Sequence, residues 1–393
     1  MRLLELIGIP KLREYVKDWR FWLLLWLVNI SGNMGFTYYI SEPLSVIIIF
    51  VISFSYMILT GQFKGRLVIY SLSIWGILFI QSLYVEYYSV TTTLHYVLNI
   101  GIAVSIVVVL KEKILTYLPA IIYIYCLISL VCFGYNLMGG IVPYVQIEDS
   151  TIDGGVIMRV YNPFYTQLAT VGNVSLSKFR NCGPFWEPGA FQGYVNLAFF
   201  LDMCSGNTVG NKKRYLIYII SIISTLSTGG YIALMVNLLY YTLYCNKTVP
   251  KVIIYTLFPL LIGLAYYLYV TLPFLGEKIA SNEDRLQFSL DSFHGAYLLF
   301  GYGYDTESFM TSSMHSASSI YSLFRYVGII GFFVFIVFLI RNNCPHRLFY
   351  ATLLFVILMN EPFMQYGLWW AAPLFIFFSK YRHSSKVKWK ESI

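Results

Sequence analysis

Long apolar runs separated by short polar breaks make up most of this chain. A spanning helix needs about 20 predominantly apolar residues, because the hydrocarbon core of a bilayer is about 30 Å thick. Runs of that kind lie at 21–40, 43–60, 67–84, 94–110, 114–138, 190–206, 252–272, 319–340, 347–361 and 365–380. The run 215–244 is longer and is interrupted by Ser227-Thr228-Gly229-Gly230, so it reads either as one tilted span or as a hairpin of two short helices. Positive charge decides between them. One span would leave nine of the following Lys and Arg residues outside and three inside, whereas a hairpin reverses those numbers, as the positive-inside rule prefers. The pattern therefore predicts an all-α integral membrane protein of about twelve spans with both termini cytoplasmic.

In that topology 21 Lys/Arg fall inside and 6 outside, giving a net +15 on the inner face and −7 on the outer. The basic balance is thus a topology signal and not a nucleic-acid footprint. Two long segments lie outside, the loops 139–189 and 273–318, both carrying Tyr, Phe and Gly throughout. Loops beyond about 15 residues are usually functional or disordered, and this composition argues against disorder. Each hairpin arm is short, a dozen residues reaching roughly 18 Å, so the Ser-Thr-Gly-Gly turn is expected below the outer surface, over a cavity. The domain plan is an interfacial helix at 1–20, a membrane domain at 21–380 and a basic tail at 381–393.

Composition supports this plan: 58% of the 393 residues are hydrophobic, only 12% are charged, and the mean hydropathy is +0.66. The six cysteines (Cys126, Cys132, Cys182, Cys204, Cys245, Cys344) show no metal-ligand spacing, and a disulfide framework is not expected. The basic, amphipathic N-terminus is followed by no small-residue cleavage site and reads as a surface helix.

The external cations are Arg159, Lys178, Arg180, Lys278, Arg285 and Arg325. Each can pair with a nearby acid, as Arg285 with Glu283 or Asp284. Arg180 has only Glu187 nearby, and Arg325 lies inside a span, where an arginine is a functional candidate. Arginine's planar fork suits phosphate and pyrophosphate oxygens. His315, just before the tenth span, could take a proton from a sugar hydroxyl. Glu187 is the competing base, unless it pairs with Arg180 and pins the loop. His95 and His294 read as structural, and "GYGYD" at 301–305 as turn geometry. No nucleophile triad, P-loop or Asp-x-Asp metal site is present.

"FRNCGPFWEPGAF" (179–191) resembles the Arg-x-x-Gly-x-Phe-x-Glu-Pro-Gly element of the O-antigen polymerase and ligase superfamily. "TLSTGGYIALMVNLL" resembles the segment that follows it there, and "RLQFSL…LLFGYGYDTESF…HSASSIYSLFRYVGIIGFF" the second large loop. The ordered set covers roughly residues 175–335, while the first 140 match only in hydropathy. Two departures stand out: Ser-Ala-Ser-Ser follows His315 where the family often has Asn, and Arg325 replaces a glutamate or neutral residue. The resemblance implies a GT-C-like, metal-independent glycosyltransferase of the bacterial inner membrane that needs no cofactor. Its substrates would be undecaprenyl-pyrophosphate-linked oligosaccharides, with membrane lipid, a chain-length regulator and a flippase as partners. Carried over, Arg180 and Arg285 match pyrophosphate-binding arginines, with Arg159 and Arg325 as further candidates; His315 matches the candidate base and Glu187 the Glu-Pro glutamate. The expected activity is polymerisation of lipid-linked repeats into a surface polysaccharide; the alternatives are a ligase acting on lipid A–core and, from another class, a flippase.

Overall fold

The computed structural model describes residues 11–62, 65–85, 89–138, 145–149, 156–162, 165–170, 180–205, 212–245, 295–303, 319–341, 346–360 and 363–375. It is a helical membrane protein. The helices are α1 (Leu12–Val16), α2 (Trp19–Ile30), α3 (Met34–Tyr39), α4 (Glu42–Leu59), α5 (Gly65–Gln81), α6 (Val90–Leu110), α7 (Ile114–Leu137), α8 (Pro188–Cys204), α9 (Lys212–Ser224), α10 (Thr228–Tyr240), α11 (Gly295–Phe300), α12 (Ser319–Ile340), α13 (Arg347–Asn360) and α14 (Gly367–Ala371). Among the described residues, three stretches are long and apolar enough to cross a membrane: Glu42–Leu59, Val90–Leu137 and Ser322–Ile340. Lys111, at φ 49°, divides the second stretch into α6 and α7, where the sequence places two spans.

The run 215–244 folds as the hairpin that the charges favour. Helix α9 ends at Ser224 and α10 begins at Thr228. Tyr215 near the start of one arm meets Tyr241 just beyond the other, with ring centroids 5.7 Å apart, so the arms are antiparallel. Leu226 takes φ 49° at the turn, and Ser227 caps α10 by accepting from the Gly230 N–H. The first expected span, 21–40, is interrupted: α2 and α3 are separated at Ser31–Asn33, where Gly32 has φ 110°. The last, 365–380, is described only to residue 375, as α14 flanked by 3-10 turns at Phe363–Gln365 and Ala372–Leu374. The span expected at 252–272 lies outside the described residues.

The all-α expectation has one correction. Within loop 139–189 the chain forms a three-stranded antiparallel sheet, β1 (Val145–Asp149), β2 (Val156–Asn162) and β3 (Tyr165–Thr170), in the order β1-β2-β3. A span-length hydropathy window averages over strands of five to seven residues, so it does not resolve so short a meander in a loop. Tyr165 packs it against α7, accepting from Asn136 Nδ2 at 3.4 Å.

Helix ends sort into two groups. At one end lie the Asn33–Phe185 bridge, the Glu42–His95 pair and the Arg180–Thr225 contact. His95 Nε2 lies 4.0 Å from Glu42 Oε1, where the starts of α6 and α4 meet. At the opposite end, Asp18 accepts from Arg20, Lys113 and Tyr117. Burial alone would raise the Asp18 pKa, but these donors hold the carboxyl well below the usual range. Nearby, Asp202 of α8 and Arg214 of α9 form a buried pair at 3.3 Å. Arg214 also donates to the Tyr218 hydroxyl at 3.2 Å and lies over the Tyr123 ring. Removing one member of a buried pair strands the other charge, at about 3–5 kcal/mol. Asp202→Asn should therefore lower the unfolding midpoint in detergent sharply, while Asp202→Leu with Arg214→Met should regain most of the loss. Equal loss in both would show that the pair is not what holds these helices.

Candidate functional site

The element 180–188 connects loop 139–189 to α8, and its own residues fix its shape. Asn181 Oδ1 accepts from the Gly183 N–H at 2.9 Å, and Gly183 takes φ 56°, with the Phe191 ring 2.6 Å from where a Cβ would stand. Phe185 stacks on Tyr194 of α8 at 4.2 Å. Pro188 occupies the first turn of α8, where a missing N–H costs nothing, and Glu187 is the extended residue before it.

This element grips the hairpin turn by its backbone. Arg180 Nε donates to the Thr225 carbonyl at 3.0 Å. The Asn181 N–H donates to the Ser224 carbonyl at 2.9 Å, and its side-chain amide to Ser224 Oγ at 3.0 Å. These carbonyls end α9 and have no intrahelical partner. Arg180 is thus anchored through one nitrogen, and the described residues give its two terminal amino groups no hydrogen bond.

Glu187 does not pair with Arg180. Its Oε1 accepts from Trp186 Nε1 at 2.9 Å, and no cation lies within ion-pair distance among the described residues. The expectation that the two charges pin the loop together is therefore corrected: Arg180 turns to the hairpin and Glu187 to the indole. The indole is held in turn by the Phe363 and Tyr366 rings, at 5.9 and 5.6 Å, and by Gly32, where a Cβ would stand 1.9 Å from its ring.

Below the turn the space is filled on the α8 and α13 sides. A Cβ on Gly229 would stand 2.1 Å from the Asn360 side chain, and one on Gly230 would press on Gln192. Asn196 Nδ2 donates to the Gly230 carbonyl at 3.2 Å and to Gln192 Oε1 at 3.0 Å, and Asn237 Nδ2 donates to Asn196 Oδ1 at 2.9 Å. Among the described residues, these side chains form a buried polar ladder on those two sides of the turn, beneath which the sequence places a cavity. A cavity of about 150 Å³ lies elsewhere, between α4, α5 and α6, walled by apolar residues such as Phe54, Leu67, Trp75 and Val104.

The remaining candidates are dispersed. Arg159 sits mid-strand on β2, opposite Gln146 and Gln167. Arg325 is 9% exposed on α12. Arg285 and His315 lie outside the described residues. Ser319, four residues after His315, accepts from the Phe363 N–H, so α12 starts beside the ring that contacts Trp186. Sequence reading missed Trp186, Gly32 and Asn181. Only Trp186 carried a signal, as an indole beside the motif's glutamate. Among the described residues no His/Cys/Asp/Glu group could hold a metal ion.

Comparison with family models, with curated proteins and with solved structures found no match.

Two glycines test the indole's seat. Gly32→Ala meets both a positive φ and the Trp186 ring, whereas Gly61, also at positive φ, has open space around it. Overpacking adds about 1–3 kcal/mol to the left-handed penalty, so Gly32→Ala should lower the thermal midpoint clearly more than Gly61→Ala. Equal shifts would contradict the packing described.

Proposed function

We propose that this chain is a polysaccharide polymerase with a twelve-span, GT-C-like architecture, acting at the outer leaflet of a bacterial inner membrane with both termini cytoplasmic. It transfers a growing glycan from one undecaprenyl pyrophosphate to a sugar of a second lipid-linked repeat. The acceptor hydroxyl attacks the anomeric carbon, the bond from that carbon to the pyrophosphate oxygen breaks, and the lipid pyrophosphate leaves. The hydroxyl proton passes to a base.

The observation that carries this reading is Arg180. It is anchored through Nε to a helix-end carbonyl, and no carboxylate among the described residues lies within ion-pair distance of it. A guanidinium held by one nitrogen can offer its terminal amino groups to developing negative charge without reorganising, the arrangement that stabilises a leaving group best. Arg285, Arg159 and Arg325 supply further positive charge to the pyrophosphate in this reading. Glu187, whose Oε1 accepts from the Trp186 indole, is the proton acceptor in this reading. His315 is the alternative base; α12, which begins four residues after it, starts at Ser319 beside the Phe363 ring that contacts Trp186. The order of the motifs in the sequence supports the same class.

Arg180→Ala should lower elongation by about 10²–10³-fold while the protein still inserts and accumulates. Arg180→Lys should recover little, because a point charge lacks the fork. Normal polymer from Arg180→Ala would remove that arginine from the mechanism. A lipopolysaccharide gel of a deletion strain checks the activity itself: core capped by a single repeat supports a polymerase, and uncapped core supports a ligase instead.

A further inference from the structure

Helix α12 is broken inside its span. Gly328 adopts φ 62°, ψ −170°, conformations no helix contains, so carbonyls in the preceding turn lose their helical donors. Such breaks persist in hydrocarbon only where protein supplies the missing bonds. Here the turn Gly301–Gly303 does so. Its backbone lies directly on the break: a Cβ on Gly328 would stand 2.5 Å from the Gly301 nitrogen, and one on Gly301 2.6 Å from the Arg325 carbonyl. The Tyr302 N–H donates to that Arg325 carbonyl at 2.7 Å. Gly301 and Gly303, at φ 80° and 67°, give the turn its shape.

Two side chains at the end of α5 clasp the turn. Gln81, fully buried, donates from its amide nitrogen to the carbonyls of Phe300 and Tyr326, one on each side of the junction. The Tyr84 hydroxyl donates to the Gly301 carbonyl. Two facing carbonyls require the amino group, so the orientation of the Gln81 amide is fixed. Its Oε1 then has no hydrogen-bond partner among the described residues. A buried acceptor left unsatisfied is costly, so Gln81 serves the junction at the expense of its own second group. Arg325, 9% exposed, is the residue whose backbone the turn holds.

We propose that Gln81 is a positioning residue for Arg325. By clasping the Gly301–Gly303 turn into the break of α12, it sets the guanidinium for the pyrophosphate of the lipid-linked substrate. The inference rests on the polymerase reading of Arg325. Gln81 touches no substrate and acts only through the junction.

The test is a double-mutant cycle on the full-length protein in liposomes, using lipid-linked repeats extracted from a strain that lacks this chain. Gln81→Leu should raise KM about tenfold with kcat within about threefold, and Arg325→Ala should raise it at least as much. If Gln81 acts through Arg325, the double variant is no worse than Arg325→Ala alone. Multiplying effects would overturn the proposal, as would an unchanged KM in either single variant. Should Gln81→Leu fail to accumulate, Tyr84→Phe removes only the hydroxyl on Gly301. Its expected rise in KM, about threefold, should vanish in the Arg325→Ala background, and persistence there would overturn the proposal. The unmutated protein separates the two levels: if it lengthens glycan while the Gln81 cycle multiplies, the positioning role alone falls; if it lengthens none and releases no undecaprenyl pyrophosphate, the polymerase reading falls too.

Discussion

Backbone that leaves a helix inside hydrocarbon must find every hydrogen bond within the protein, and among the described residues this chain leaves its helices at three places along apolar runs: Ser31–Asn33, 225–227 and Gly328. Each break is patched from elsewhere in the sequence. Between α2 and α3, Asn33 bridges Phe185 and the Met34 N–H donates to the Pro184 carbonyl. Between α9 and α10, Arg180 and Asn181 take the carbonyls of Thr225 and Ser224. Within α12, Tyr302 and Gln81 take those of Arg325 and Tyr326. The first two patches come from the single element 180–188. It therefore joins the N-terminal helices to the central hairpin as well as opening α8.

This constraint gives the polar residues of 180–188 a double use. A residue that merely patched a helix end would need one donor; an arginine brings a fork, and only one nitrogen of Arg180 is used on Thr225. Glu187 likewise sits before a helix N-terminus, where a carboxylate is favoured by the helix dipole, yet its side chain is directed to Trp186 instead of capping α8. Both charges are thus held by neutral groups. In the proposed reaction they are the groups offered to the pyrophosphate and the sugar hydroxyl.

Much of the architecture was legible in the sequence, because lipid demands it locally. Span length and positive charge sufficed to read 215–244 as a hairpin, and the prolines and glycines of 183–189 marked the mouth of α8. What was not legible depends on distant contacts. Gly32 owes its identity to an indole 154 positions away in the chain, and Gln81 to carbonyls more than 200 positions away. The pairing of Arg180 with Glu187, plausible from their spacing, fails because two stronger local claims exist: an orphaned carbonyl for the arginine and an indole N–H for the glutamate. The sheet in 139–189 escaped because a span-length hydropathy window does not resolve so short a meander. The crowding of Gly229 by Asn360 and of Gly230 by Gln192 was not legible either, because only the folded helices bring those side chains to the turn.

The central claim is that this membrane domain joins lipid-linked glycans without help from another enzyme. The most direct measurement places the purified protein in liposomes with undecaprenyl-pyrophosphate-linked repeats and follows both glycan length and released lipid pyrophosphate. The account predicts a ladder of lengthened products, with one undecaprenyl pyrophosphate released for each repeat added and both lost in Arg180→Ala. Repeats that cross the bilayer but never lengthen would contradict it and leave a transporter in its place.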